Sequence, residues 1–207
     1  MQTKLTICLF ILERQNFTLR FLRYFNEKKI PYDLIIGDGS RVKLNDKILN
    51  EIKKNKKIQY IKFKNEYNKK LKEYDHNKFY LRIIYCLKKV KTKYVKFISD
   101  DDMIINYSTE NCINFLENNS NYDGAGGSGL DFVLDSKYYG NIKDINHFYL
   151  LKNFSSDKII KRVKKFFEKS FDCWHVIFKT KKILKVFNLS SKCNKNDKDF
   201  KDHFHEL

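Results

Sequence analysis

Short apolar runs alternate along this chain with segments of helical spacing. Leu5 to Leu12 is apolar without interruption, as expected of a strand covered on both faces. From Phe17 to Lys29, Leu19, Phe21, Leu22 and Phe25 recur at helical spacing, and Pro31 bars the helix from continuing. Tyr32 to Gly37 forms a second apolar run, closed by Asp38-Gly39-Ser40. Ile48 to Lys54 reads as a helix, Ile58 to Phe63 as a strand and Asn65 to His76 as a polar connection. Phe79 to Val90 predicts a helix with Phe79, Ile83, Cys86, Leu87 and Val90 on one face. A strand at Tyr94 to Ile98 and a helix at Tyr107 to Leu116 follow.

This order predicts an α/β domain with a mostly parallel central sheet flanked by helices. Ligands of such sheets bind beyond the carboxyl ends of the strands. Glu13, Asp38 and Asp100–Asp102 each follow a predicted strand at that end. Their convergence on one edge carries more weight than any one of them.

Beyond residue 120 the pattern weakens. Gly124 to Gly129 reads as a glycine-rich loop and lacks the Lys-Ser/Thr ending of a phosphate-binding P-loop. Ile159 to Phe167 predicts a basic helix, Trp174 to Phe178 a strand and Asn194 to Lys201 a charged loop. No repeat interrupts the chain, so residues 1–207 read as one domain, long enough to bury a core.

Composition changes the picture in two respects. The net charge of +17 favours polyanions. The chain is also rich in Asn, Ile, Phe and Tyr with a single Pro, a joint bias that inflates Lys everywhere. The lysines are dispersed rather than gathered with Arg and aromatic platforms, which argues against a nucleic-acid-binding module. The basic surface still suits an anionic donor, or peripheral contact with an anionic membrane. The five cysteines are scattered and odd in number, which fits neither a disulfide framework nor a zinc site. A reducing, cytoplasmic location follows, with the inner face of the membrane as its peripheral variant. Leu5–Leu12 is too short to span a bilayer, and Glu13-Arg14 follows in place of a small-residue cleavage site, so no leader is expected.

The chemistry centres on Phe97-Ile98-Ser99-Asp100-Asp101-Asp102. Three adjacent carboxylates raise one another's pKa values, and a divalent cation relieves that repulsion. Hard oxygen ligands suit Mg²⁺ or Mn²⁺, which could bridge to a diphosphate. A solvated acidic turn capping the next helix is the competing reading. Asp38-Gly39-Ser40 is open to two readings as well: an ordinary Asp-Gly turn, or a carboxylate accepting hydrogen bonds from a base or ribose. Lys78 and Arg82 could reach a phosphate, although most such charges are solvated. His175 reads as a satisfied, partly buried histidine, and His203 with His205 is weak evidence for a metal. A nucleotidyltransferase also uses strand-end carboxylates and a metal, but it would show a glycine-rich or basic signature where Glu13-Arg14 stands.

Leu12-Glu13-Arg14-Gln15-Asn16-Phe17-Thr18-Leu19-Arg20 resembles the first strand-to-helix segment of bacterial glycosyltransferases of the GT-A fold. More narrowly, it resembles the family-two-like enzymes with an R-x-x-F-T-x-R segment after strand one. Ile35 to Ser40 resembles their second strand and aspartate, and Thr92 to Asp102 their strand with a D-x-D-type motif. The resemblance covers roughly residues 3 to 134, with a weaker echo at Trp174–Thr180. It implies a Rossmann-like nucleotide-diphospho-sugar transferase fold, with a nucleotide-sugar-binding half at about 3–134 and an acceptor-side half at about 135–207. In such a site Glu13 and Asp38 would contact the nucleoside, with Arg14 near it. Asp100 and Asp102 would hold Mn²⁺ or Mg²⁺ and the diphosphate, and Asp101 would touch the ribose or sugar. The triple Asp leaves open which two bind the metal. The family's general base would be Glu206, with Asp202 second; a solvated polar terminus is the competing reading of that segment. Related enzymes continue where this sequence stops at Leu207, so an incomplete acceptor half is expected. The implied reaction is an inverting hexosyl transfer to a glycan or lipid-linked hydroxyl, in cell-surface polysaccharide biosynthesis.

Overall fold

The computed structural model describes residues 3–64, 67–68, 73–74, 76–136, 140–149, 154–168 and 174–193. In chain order its elements are β1 (Leu5–Ile11), α1 (Gln15–Glu27), β2 (Asp33–Asp38), α2 (Asp46–Lys53), β3 (Ile58–Lys62), β4 (Tyr67–Asn68) and β5 (Glu73–Tyr74). There follow α3 (His76–Lys89), β6 (Tyr94–Ile98), α4 (Asn106–Asn118), β7 (Gly124–Ala125) and β8 (Gly129–Leu134). The last are β9 (Ile142–Tyr149), α5 (Ile159–Glu168), β10 (Ile177–Lys179) and α6 (Thr180–Cys193).

The central sheet has the order β3-β2-β1-β6-β10-β7. β3, β2, β1 and β6 run parallel, and β10 pairs antiparallel with both β6 and β7. Every residue of β1 is buried, which is why its apolar run is continuous. Alternate side chains feed two cores. Leu5, Ile7, Leu9 and Ile11 join Phe21, Leu22 and Phe25 of α1, Ile48 of α2 and Ile113 and Leu116 of α4. Cys8 and Phe10 join Ile83, Cys86 and Leu87 of α3 and Ile183 of α6. Each fully buried Phe, Leu or Ile contributes about 1.5–3 kcal/mol relative to exposure.

α1 ends on a backbone motif that the sequence does not advertise. Ile30 N donates to Phe25 O and Lys29 N to Asn26 O, both at 3.1 Å, with Lys29 at φ 48°. This is the double bond pattern of a Schellman cap, with lysine in the left-handed position that glycine normally fills. Pro31 follows directly. Because a Cβ in that region costs about 1 kcal/mol or more, Lys29→Gly is expected to stabilise the fold by roughly 0.5–1 kcal/mol. A rise in the urea midpoint at unchanged slope checks this.

Several segments depart from the sequence reading. In the expected polar connection Asn65–His76, the two-residue strands β4 and β5 pair antiparallel. Gly124–Ala125, expected as loop, is an edge strand. A Cβ on Gly124 would sit 2.9 Å from both Phe178 and Val176, so glycine permits the close approach. β8 and β9 pair in a separate two-stranded sheet whose Leu130, Val133, Ile142 and Ile145 are exposed, so no buried face imposed a legible alternation. In α6 interspersed lysines obscured the packing of Ile183, Leu184 and Phe187 on the second core. Of the cysteines, Cys8 and Cys86 are buried, Cys112 is half-buried and all three are free. Among the described residues no helix is long and apolar enough to cross a membrane.

Candidate functional site

The carboxyl ends of β1, β2 and β6 bring three polar segments together. After β1 the chain turns sharply through Glu13, at φ 61°, a conformation that L-residues rarely adopt. Hydrogen bonds hold it there. Glu13 N donates to Ser40 Oγ at 2.9 Å, and its Oε1 accepts from Arg41 N at 2.6 Å and Arg41 Nε at 3.1 Å. Gly39 N donates to Ile11 O at 3.2 Å, and the Gln15 side chain bonds Lys43 O and Asn45 N. The turns after β1 and β2 are thus stitched into one unit.

Asp38 lies at the centre of that unit and is fully buried. Its Oδ1 accepts from Ser40 N at 2.8 Å; its Oδ2 accepts from Tyr60 OH at 2.6 Å and Lys62 Nζ at 3.0 Å. Burial and then the Asp38 carboxylate push the Tyr60 phenol above its ordinary range. In this conformation both oxygens of Asp38 are engaged within the protein.

The acidic triplet follows β6 directly. Asp100 is 2% exposed. Its Oδ1 accepts from Arg14 Nε at 2.9 Å and also from Arg14 Nη2, while Oδ2 accepts from Thr18 Oγ1 at 3.0 Å. Arg14 also reaches Asp101, with Nη1 3.1 Å from Oδ2 and Nη2 2.7 Å from Oδ1. Arg20 Nη2 donates to Asp101 O at 2.9 Å, and both guanidiniums lie over the Phe17 ring. Every named position of the R-x-x-F-T-x-R segment therefore touches the triplet or the groups that touch it. Burial pushes the Asp100 carboxyl up despite Arg14 and Thr18. Burial opposes ionisation of Asp101 too, yet the Arg14 bonds hold its carboxyl below the usual range.

Asp102 has different neighbours. Its Oδ2 accepts from Ser99 N at 3.1 Å. Burial raises its carboxyl, and the nearby His175 pulls it back. Antiparallel β10 supplies this side of the site. Trp174 Nε1 donates to Ser99 Oγ at 3.0 Å, and Lys96 Nζ donates to His175 O. Trp174 and His175 form the turn before β10, which starts at Ile177 rather than at Trp174. Their place beside the triplet follows from strand order, which the sequence does not reveal.

Arg82 is 2% exposed rather than solvated. Its Nη1 donates to Ile11 O and Gly37 O, both at 2.8 Å, which ties the ends of β1 and β2 together. Lys78 is exposed. Glu206, Asp202, His203 and His205 lie outside the described residues, as do Cys173 and the loop expected at 194–201. Among the described residues no group of three or more His, Cys, Asp or Glu is arranged to hold a metal ion. A cavity of about 1160 Å³ opens elsewhere, between α4, β7, residues 154–157 and α5, and the triplet does not line it.

No protein-family model matches the chain, and no curated protein matches it by sequence. Among solved structures it is similar to TarS of S. aureus. The structure of TarS 1–349 aligns with a TM-score of 0.54 at 10% identity, covering 86% of this chain and 47% of that one. The complex of TarS 1–349 with UDP-GlcNAc gives 0.51 at 12% identity, covering 86% and 46%. The complex with UDP gives 0.51 at 13%, covering 86% and 47%. The fold is GT-A-like. At these identities the likeness establishes the fold alone, and the chain spans about half the length of the structures it matches. In that fold the triplet occupies the carboxyl end of a central strand, where ligands of open α/β sheets bind.

Proposed function

We propose that this chain belongs to a metal-assisted glycosyltransferase that moves a sugar from a nucleotide-sugar donor to a hydroxyl acceptor. The observation that carries the reading is the convergence of Glu13, Asp38 and Asp100–Asp102 at one end of a GT-A-like sheet. The occurrence of UDP-GlcNAc and UDP in structures of that fold supports a uridine diphosphate sugar as donor. The resemblance adds a hexosyl group, inversion, a glycan or lipid-linked acceptor in cell-surface polysaccharide synthesis, and Glu206 or Asp202 as the base.

The donor set suits a hard divalent ion in one part and is engaged in another. Asp102, with a burial-raised carboxyl beside His175, offers oxygen and nitrogen ligands of the kind Mn²⁺ accepts. Asp100 would join it once Arg14 moved off, because both of its oxygens are engaged by Arg14 and Thr18. A Mn²⁺ or Mg²⁺ there would neutralise charge developing on the leaving diphosphate. The protein's own part is to gather the carboxylates at one end of the sheet and to shape the nucleoside side through the Glu13–Ser40 and Asp38–Ser40 bonds.

Thermal unfolding with UDP and UDP-GlcNAc, with and without Mn²⁺, tests this. A donor at a hundred times its dissociation constant should stabilise the wild type by about 2.7 kcal/mol. Asp102→Asn keeps the shape of the side chain and should lose the Mn²⁺-dependent part of that gain. An equal gain in wild type and variant would remove Asp102 from the metal site. No gain with any nucleoside diphosphate would remove the donor reading itself.

A further inference from the structure

The cavity between α4, β7, residues 154–157 and α5 has no part in the donor reading. At about 1160 Å³ it exceeds the roughly 300–1,000 Å³ usual for a small-molecule pocket. Phe115 and Tyr122 stand at its wall and meet edge to face, with ring centroids 5.0 Å apart, and Phe115 is 40% exposed. Phe178 of β10 lines it as well. Asn111 and Asn121 present exposed side-chain amides to it, and Ser155 an exposed hydroxyl. Gly127 bears so closely on α4 that a Cβ there would lie 2.6 Å from Ser108 Oγ, so this side is formed by backbone and a small hydroxyl rather than by bulky side chains.

The charge of the lining differs from that of the chain. Among the described residues no lysine lines the cavity, in a chain of net charge +17. Among them Arg162 is its one cation, and Nη1 already donates to Ser156 O and, at 3.4 Å, to Asp157 O. Asp123 and Asp157 are its acids, and the Nζ atoms of Lys179 and Lys182 stand 3.6 and 3.5 Å from the Asp123 carboxylate. The lining therefore carries no surplus of positive charge.

We propose that this cavity binds a neutral oligosaccharide, as a site separate from the acidic triplet. Aromatic rings suit the C–H faces of pyranoses, and amides and hydroxyls suit sugar hydroxyls, which both donate and accept. The volume fits a short chain of sugars rather than one. A nucleotide would stack on the same rings, but its phosphates would meet two carboxylates and a guanidinium already bonded to carbonyls. An acyl chain would strip water from Asn111, Asn121 and Asp157 without replacing their hydrogen bonds. The inference does not depend on the donor reading.

Calorimetric titration of the whole chain with maltotriose, cellotriose and tri-N-acetylchitotriose tests it, and the alkylation of Cys112 locates the binding. Cys112 is a free, half-buried thiol on the cavity wall. The wild type should bind at least one of the three sugars. At about ten times its dissociation constant, that sugar should slow the reaction of Cys112 with N-ethylmaleimide about tenfold, because only the empty cavity exposes the thiol. Phe115→Ala should weaken binding about three- to tenfold, while Phe115→Tyr should keep it. Asn111→Ala should weaken it by a similar factor, about three- to tenfold. Thermal unfolding checks that each variant is folded; where one is not, protection of Cys112 in the wild type decides the matter. The proposal fails if none of the three sugars binds at concentrations up to about 10 mM. It fails equally if a sugar binds without protecting Cys112, or binds folded Phe115→Ala and Asn111→Ala as tightly as wild type. Protection of Cys112 by UDP in place of the sugars would assign the cavity to a nucleotide, and protection by laurate alone would assign it to an acyl chain; either overturns the proposal. Failure of UDP to bind anywhere would sink the donor reading and leave sugar binding here standing.

Discussion

Replacing Arg14 with Ala is expected to destabilise the fold by about 3 kcal/mol at neutral pH, the lower end of the range for breaking a buried ion pair. The lower end applies because the Arg14 side chain is 44% exposed and partly screened, while the Asp100 side chain is 3% exposed. The substitution leaves Thr18 alone to satisfy a carboxylate that burial already pushes upward. The pH dependence fixes the cause. Without Arg14 the folded-state pKa of Asp100 climbs further above its unfolded value, so the charged form costs stability as pH rises through that raised pKa. The cost fades as pH falls and the carboxyl protonates. Urea midpoints of wild type and variant measured between about pH 7 and pH 4 should therefore converge at the acid end. A deficit independent of pH would mean that Arg14 acts through its packing on Phe17 and not through Asp100. Mn²⁺ should stabilise the variant more than the wild type, because the cation no longer competes with a guanidinium for the same oxygens.

The parallel half of the fold was legible because burial on both faces forces long apolar runs. β6 matches the sequence reading at both ends, and β1, β2 and β3 differ from it by a residue or so. Strand ends are legible for the same reason: where the apolar run stops, the first polar residues lie at the sheet edge, and Glu13, Asp38 and Asp100 all do. What these residues contact was not legible. Asp38 reads as an open acceptor until β3 places Tyr60 and Lys62 against it, and that is a matter of strand order. Arg14 reads as a neighbour of the nucleoside, and nothing in that reading signals its bond to Asp100, 86 residues away. Trp174 and His175 meet the triplet only because β10 inserts antiparallel beside β6. Periodicity records burial, whereas long-range polar pairing leaves no period in the chain.

This distinction bears on Asp38, whose replacement by Ala is expected to cost about 2–4 kcal/mol. Three donors lose their acceptor: Ser40 N, Tyr60 OH and Lys62 Nζ. Lys62 is 36% exposed and can turn to water, so most of the loss comes from the buried Ser40 amide and from the released turn. Tyr60→Phe removes one of the three bonds and leaves the turn in place, so it should cost about 1 kcal/mol. The pair of variants separates two roles for Asp38 in nucleotide binding. If Asp38 shapes the site by fixing the Gly39–Arg41 turn, and through it Glu13, Asp38→Ala should lose UDP affinity and Tyr60→Phe should keep it. If Asp38 itself bonds the nucleoside after Tyr60 and Lys62 let go, Tyr60→Phe should bind UDP more tightly than wild type, because one competitor for Oδ2 has gone. Calorimetric titration of UDP into both variants, done where each is still folded by urea melt, reads the difference directly. Wild-type UDP affinity in folded Asp38→Ala would exclude both roles.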